Sequence, residues 1–140
     1  MKLSRIISQR NYNIAAPFKI VYEWEDILSQ KGNISLYKET SFHFLSFYGW
    51  IKKLGLTKLS KILSSSERIS LFFVMKAGVE KEPWLNKSTI PVIIDFWLSE
   101  GELSAFYEAY KECPLVLVTS AEIVDFLKAN NCPLNIEHWP

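Results

Sequence analysis

Ile90-Pro91-Val92-Ile93-Ile94-Asp95-Phe96-Trp97 is a continuous apolar run that stops at a carboxylate and an indole. A run with no polar alternation is the pattern of a strand buried on both faces, which in turn means a parallel sheet covered by helices. Asp95 and Trp97 then fall at the carboxyl end of the strand, the edge at which open α/β sheets bind ligands. Comparable runs flank it at 69–75 and 115–118. Together the three decide the fold class.

Working outward from them, β and α patterns alternate. Residues 3–8 form a short first strand centred on Ile6 and Ile7, and the polar stretch 9–13 follows as a turn. Pro17 suits a first helical turn, where its missing N–H is no loss. Lys19, Glu23, Asp26 and Gln30 then make one polar stripe, with Phe18, Val21, Tyr22, Ile27 and Leu28 on the other sides. Gly32 is placed as the C-cap. A second strand is expected at 33–40, a third at 67–75 and a polar loop at 76–89. Ser99 and Glu102 have capping-box spacing ahead of a helix with Leu103, Phe106, Tyr107 and Tyr110 inward; Thr119 and Glu122 repeat that spacing ahead of Ile123, Val124, Phe126 and Leu127. A sixth strand closes the series at 134–138. Right-handed crossovers make this a three-layer, doubly wound α/β domain.

Composition sets the outer bounds. At 140 residues the chain has the size of one domain, 1–140, long enough to bury roughly 68% of its unfolded surface. A net charge of +1 argues against a general nucleic-acid binder, which needs a strongly basic face. Cys113 and Cys132 lack metal-type spacing and each precedes a proline, so both are expected as small buried hydrophobes in a reducing compartment. The amino terminus lacks the pattern of a signal peptide, and no run reaches the roughly 18 apolar residues of a membrane span. A cytoplasmic chain is the expectation.

One segment stands apart. Phe44, Phe47, Tyr48, Ile51 and Leu54, then Leu59, Ile62 and Leu63, follow helical spacing on either side of Gly55, and Lys52, Lys53, Lys58 and Lys61 lie among them without an acid. Either the apolar face packs on the sheet and the lysines are solvated, or residues 44–63 rest as an amphipathic pair on anionic lipid at the inner membrane face.

Several chemistries are excluded. The glycines at 32, 49, 55, 78 and 101 allow neither GxGxxG after the first strand nor a Walker loop, and no GxSxG occurs. The first strand ends in Gln9, Arg10 and Asn11, not in the carboxylate cluster with which a receiver domain holds its metal. No cofactor or metal is expected. Asp95 ends its strand either as an acceptor for the next turn's N–H groups or as a ligand contact. Trp97 either fills core or offers a flat platform for a sugar. Ser120 either caps its helix or helps bind an anion there. His43 lies in an aromatic helix start; His138, beside Glu137 and Trp139 at the last strand end, is the candidate for a catalytic role.

The stretch Ile90-Pro91-Val92-Ile93-Ile94-Asp95-Phe96-Trp97, then Tyr110-Lys111, Pro114-Leu115-Val116-Leu117-Val118-Thr119-Ser120-Ala121-Glu122 and Ile136-Glu137-His138-Trp139-Pro140, resembles the amino-terminal domain of bacterial GT-B glycosyltransferases of surface-polysaccharide clusters. The resemblance runs from about residue 69 onward. It implies a Rossmann-like αβα domain with a mainly parallel sheet that binds the acceptor, a glycan or lipid-linked sugar, while a second, nucleotide-sugar-binding domain, absent here, supplies the donor. The domain alone then transfers no sugar. Where many relatives carry a Gly-Gly loop after the first strand, this chain has Asn11, Tyr12 and Asn13, which can hydrogen-bond and stack on acceptor hydroxyls and rings. Asp95, Trp97 and Ser120 complete the expected acceptor edge. The rival expectation is a non-enzymatic flavodoxin-like module that binds a partner protein or a small metabolite at the same edge.

Overall fold

A computed structural model describes residues 2–8, 19–32, 34–38, 68–82 and 84–140. Six strands, β1 (Lys2–Ser8), β2 (Ser35–Lys38), β3 (Arg68–Lys76), β4 (Thr89–Asp95), β5 (Val116–Val118) and β6 (Ile136–His138), form one sheet in the order β2-β1-β3-β4-β5-β6. Every neighbouring pair is parallel. Among the described residues the helices are α1 (Lys19–Gly32), α2 (Leu103–Tyr110) and α3 (Ala121–Ala129), with a 3-10 turn at Glu100–Glu102 leading into α2. The expected doubly wound α/β domain is the one observed.

The strand order explains the layering. The chain steps one way from β1 to β2 and the other way from β3 to β6, so crossovers of one hand must place their helices on opposite faces. Accordingly α1 packs with Ile6, Leu71, Phe73 and Val92 on one face. On the other, Leu103, Phe106 and Tyr110 of α2 and Val124 and Leu127 of α3 pack with Phe72, Val74, Ile93, Val116 and Val118. Alternate residues of β3 and β4 thus enter different cores, which is why both read as unbroken apolar runs.

Helix α1 departs from its expected faces. Ile27 is 49% exposed, whereas Glu25 is fully buried. The helical repeat puts Val21, Glu25 and Leu28 on one line at i, i+4 and i+7, and that line faces the sheet. Gly32 is the last residue of α1, and a Cβ there would stand 2.5 Å from Ile34 Cδ1. The chain turns back at this point, where the Ile34 N–H donates to the Ser29 carbonyl at 3.1 Å and the Ser29 hydroxyl to the Ile34 carbonyl at 2.8 Å. The segment 44–63 and His43 lie outside the described residues, as does the loop with Asn11, Tyr12 and Asn13. Among the described residues no helix is long and apolar enough to cross a membrane.

Candidate functional site

In an all-parallel sheet every carboxyl end lies on one edge. Here Ser8, Lys76, Asp95, Val118 and His138 mark the ends of β1, β3, β4, β5 and β6. The winding direction reverses between β1 and β3, and the crevice outside such a reversal is where this architecture takes its ligands. The ends are staggered. Ile93, Val118 and His138 are in register across β4, β5 and β6, whereas Lys76 and Asp95 pair two residues further out. Asp95 therefore faces Lys76, with Ser120 two residues past Val118 on the neighbouring strand. His138 sits one row back and two strands away, about 10 Å along the sheet.

Phe96 decides how this edge is presented. Its ring turns inward against Phe106, with centroids 5.3 Å apart and nearly perpendicular, and against Phe126 at 6.5 Å. Anchoring Phe96 throws the next side chain out, and Trp97 is 76% exposed. It does not fill core. Asp95 is half-buried; its backbone carbonyl accepts from the Ala77 N–H at 2.8 Å, but no described residue donates to its carboxylate. The carboxylate stands at the end of β4, two residues before the exposed indole.

The flanking polar groups are held locally. The Ser99 hydroxyl and backbone N–H donate to Glu102 Oε2 at 2.7 and 2.9 Å. Those two bonds, with exposed Lys76 nearby, lower the Glu102 pKa from the ordinary carboxylate value. Ser120 caps α3, its hydroxyl accepting from the Ile123 N–H at 3.3 Å. The cap thus sits one residue later than the Thr119–Glu122 spacing suggests. Thr119 instead ties β5 to β4: its hydroxyl donates to the Ile94 carbonyl at 2.9 Å and its N–H to the Ile93 carbonyl at 3.1 Å. His138 is exposed at the end of β6, and the next residue is anchored, the Trp139 N–H donating to the Val118 carbonyl at 2.8 Å.

One pair escaped the sequence reading. Glu25, buried on α1, accepts a hydrogen bond from the Ser8 hydroxyl at 2.7 Å, and Ser8 is itself buried at the carboxyl end of β1. The pair stands beside the strand reversal, at the last residue of β1. The i, i+4, i+7 line through Val21 and Leu28 was the signal that could have found it.

Burial pushes the Cys113 thiol up to about 12 and the Cys132 thiol in the same direction, so both stay protonated and unreactive at neutral pH. Among the described residues no group of three or more His, Cys, Asp or Glu side chains could hold a metal ion. What the edge can do is bind: an exposed aromatic face, a carboxylate acceptor, a lysine and a hydroxyl-capped helix start along one rim. Comparison with family models, curated proteins and solved structures finds no match.

Proposed function

We propose that this domain is the acceptor-side half of a bacterial sugar transferase, binding a glycan or lipid-linked sugar at the carboxyl edge while a facing nucleotide-sugar domain supplies the donor. The observation that carries the reading is Trp97, an indole 76% exposed two residues beyond an Asp95 carboxylate that no described residue engages. Carbohydrate rings have apolar C–H faces and hydroxyl rims. A flat aromatic surface beside a hydrogen-bond acceptor suits both parts of such a ligand. The resemblance of the segments ending in Asp95-Phe96-Trp97, Thr119-Ser120 and His138-Trp139 to the acceptor domains of GT-B glycosyltransferases supports the same conclusion.

In this reading the domain contributes proximity. It holds one acceptor hydroxyl in a fixed orientation and excludes water from it, rather than forming a covalent intermediate. Trp97 stacks on the sugar, Asp95 accepts from its hydroxyls, and Ser120 flanks the same rim. Asn11, Tyr12 and Asn13 supply further groups that hydrogen-bond and stack on the acceptor, and His138 is the candidate for a catalytic role. Residues 44–63 hold the domain against the inner membrane face. Sedimentation with anionic vesicles and not with neutral ones is expected; equal sedimentation with both removes the membrane contact.

A glycan array probed with the labelled chain tests the main claim. Binding to a subset of glycans is expected, weakened about two- to tenfold by Trp97→Ala, since an aromatic contact is worth about 0.5–1.5 kcal/mol, and weakened also by Asp95→Asn. The second reading, a non-enzymatic flavodoxin-like module for a partner protein or small metabolite, is favoured by the order β2-β1-β3-β4-β5, the flavodoxin arrangement. An array without binding by the folded chain, or binding indifferent to both substitutions, would decide for that module.

A further inference from the structure

At the carboxyl end of β3 opens a cleft of about 170 Å³. Alternation along the strand sets Phe72, Val74 and Lys76 on one face, so an apolar floor ends in an ammonium at the mouth. Tyr110 of α2 closes one side, and a contact between the Gly78 backbone and its hydroxyl holds the connection after β3 against the helix. Val79, 37% exposed, forms an apolar lip. β3 is one of the two strands between which the winding reverses, and open α/β sheets take ligands outside such a reversal.

Size and surface select the body of the ligand. An apolar cavity of roughly 150 Å³ holds a benzene ring, so this cleft takes about one six-membered ring. Two of its walls, Phe72 and Tyr110, are themselves aromatic and suit a ring packed offset or edge-on. Burial pushes the Tyr110 pKa upward, so the phenol stays neutral and that wall carries no charge.

The mouth selects the substituent. Lys76 is exposed and makes no hydrogen bond or ion pair with a described residue. The acids near it do not occupy its ammonium. Glu80 and Glu82 on the rim have partners of their own, and Glu102 accepts from the Ser99 hydroxyl and N–H. Asp95, its register partner on β4, forms no ion pair with it. Three N–H donors therefore remain for a ligand. A single positive charge matches a carboxylate better than a phosphate, which carries about −1.5 to −2.

We propose that the cleft binds a monocyclic aromatic carboxylate, its ring on Phe72, Val74 and Tyr110 and its carboxylate at the Lys76 ammonium. This is a second ligand site. Neither Asp95 nor Trp97 lines it, and it does not depend on sugar binding at their edge.

Titration of the ¹⁵N-labelled chain with benzoate, benzamide, benzylamine, phenyl phosphate and acetate, read on the Val74, Gly78 and Val79 amides, tests it. Benzoate should shift all three with a Kd on the order of 1 mM. Acetate, which lacks the ring, should leave them unmoved. Benzamide, which lacks the charge, should bind about two- to fivefold more weakly, the range of a solvent-exposed ion pair. Lys76→Gln, a surface substitution that leaves the fold intact, should bring benzoate down to the affinity of benzamide without changing that of benzamide, and Trp97→Ala should change neither. Benzoate that leaves the three amides unmoved, or that binds the Lys76→Gln chain as tightly as the parent, overturns the proposal. So does a loss of benzoate binding in Trp97→Ala, which would put the ring on the indole. Acetate that shifts the same amides as strongly overturns the ring site, and benzylamine or phenyl phosphate bound more tightly than benzoate overturns the carboxylate.

Discussion

The two faces of the sheet are built differently. Beneath α2 and α3 the buried set runs from Ile7 to Ile136, and the buried hydroxyls of that face, Ser70 and Thr89, lie toward the amino ends of β3 and β4. Beneath α1 a carboxylate and a hydroxyl, Glu25 and Ser8, are bonded to each other among Ile6, Val21 and Phe73. Burying a carboxylate is costly unless it is hydrogen-bonded, and the apolar alternative is usually at least as stable. The difference teaches that one face supplies stability, whereas the other gives up some of it at the end of β1, where the strand order reverses.

Substitutions on the two faces sharpen that contrast. Phe106→Ala removes a fully buried ring from beneath α2 and should cost about 3–5 kcal/mol in denaturant unfolding, enough to leave the domain partly unfolded. On the α1 face, Glu25→Ala removes the charged acceptor of the Ser8 hydroxyl and should cost about 1.5–3 kcal/mol, with Glu25→Gln, which keeps an acceptor, costing less. If Glu25→Leu proved more stable than the parent while sugar binding was lost, the pair would be retained for the site rather than for the fold. Ser120→Ala removes the α3 cap and should cost about 1 kcal/mol by the same assay. Trp97→Ala should change stability by no more than about 0.5 kcal/mol, because the indole stands in water. A larger loss at Trp97 would mean that the residue packs rather than presents.

Much of this was legible in the residues. The runs through Phe72, Phe73 and Val92, Ile93 announced strands buried on both faces because a parallel sheet leaves no polar side, and the carboxyl-edge placement of Asp95, Trp97, Ser120 and His138 followed from direction alone. Orientation was harder to read. Whether Trp97 filled core or faced water depended on Phe96 docking against Phe106 and Phe126, a contact across some ten to thirty residues that no local pattern carries. In α1 the hydrophobic character of Ile27 and the charge of Glu25 both pointed away from their actual faces, and only the helical period, followed strictly through Val21 and Leu28, indicates otherwise. The Thr119–Glu122 spacing matched a capping box, but Thr119 bonds β4 and the cap is Ser120, one of the two roles its place at the helix start had offered. Spacing cannot tell which of two adjacent hydroxyls the neighbouring strand will claim.

The central claim is that ligands are taken at the carboxyl ends of the strands, and an amide chemical-shift map of the ¹⁵N-labelled chain against an array-selected saccharide reads that edge directly. Shifts clustered at Lys76, Asp95, Trp97 and Ser120, with Ser70, Thr89 and Asn135 at the opposite end unmoved, are the predicted result. Shifts clustered at Ser70, Thr89 and Asn135 instead would contradict it.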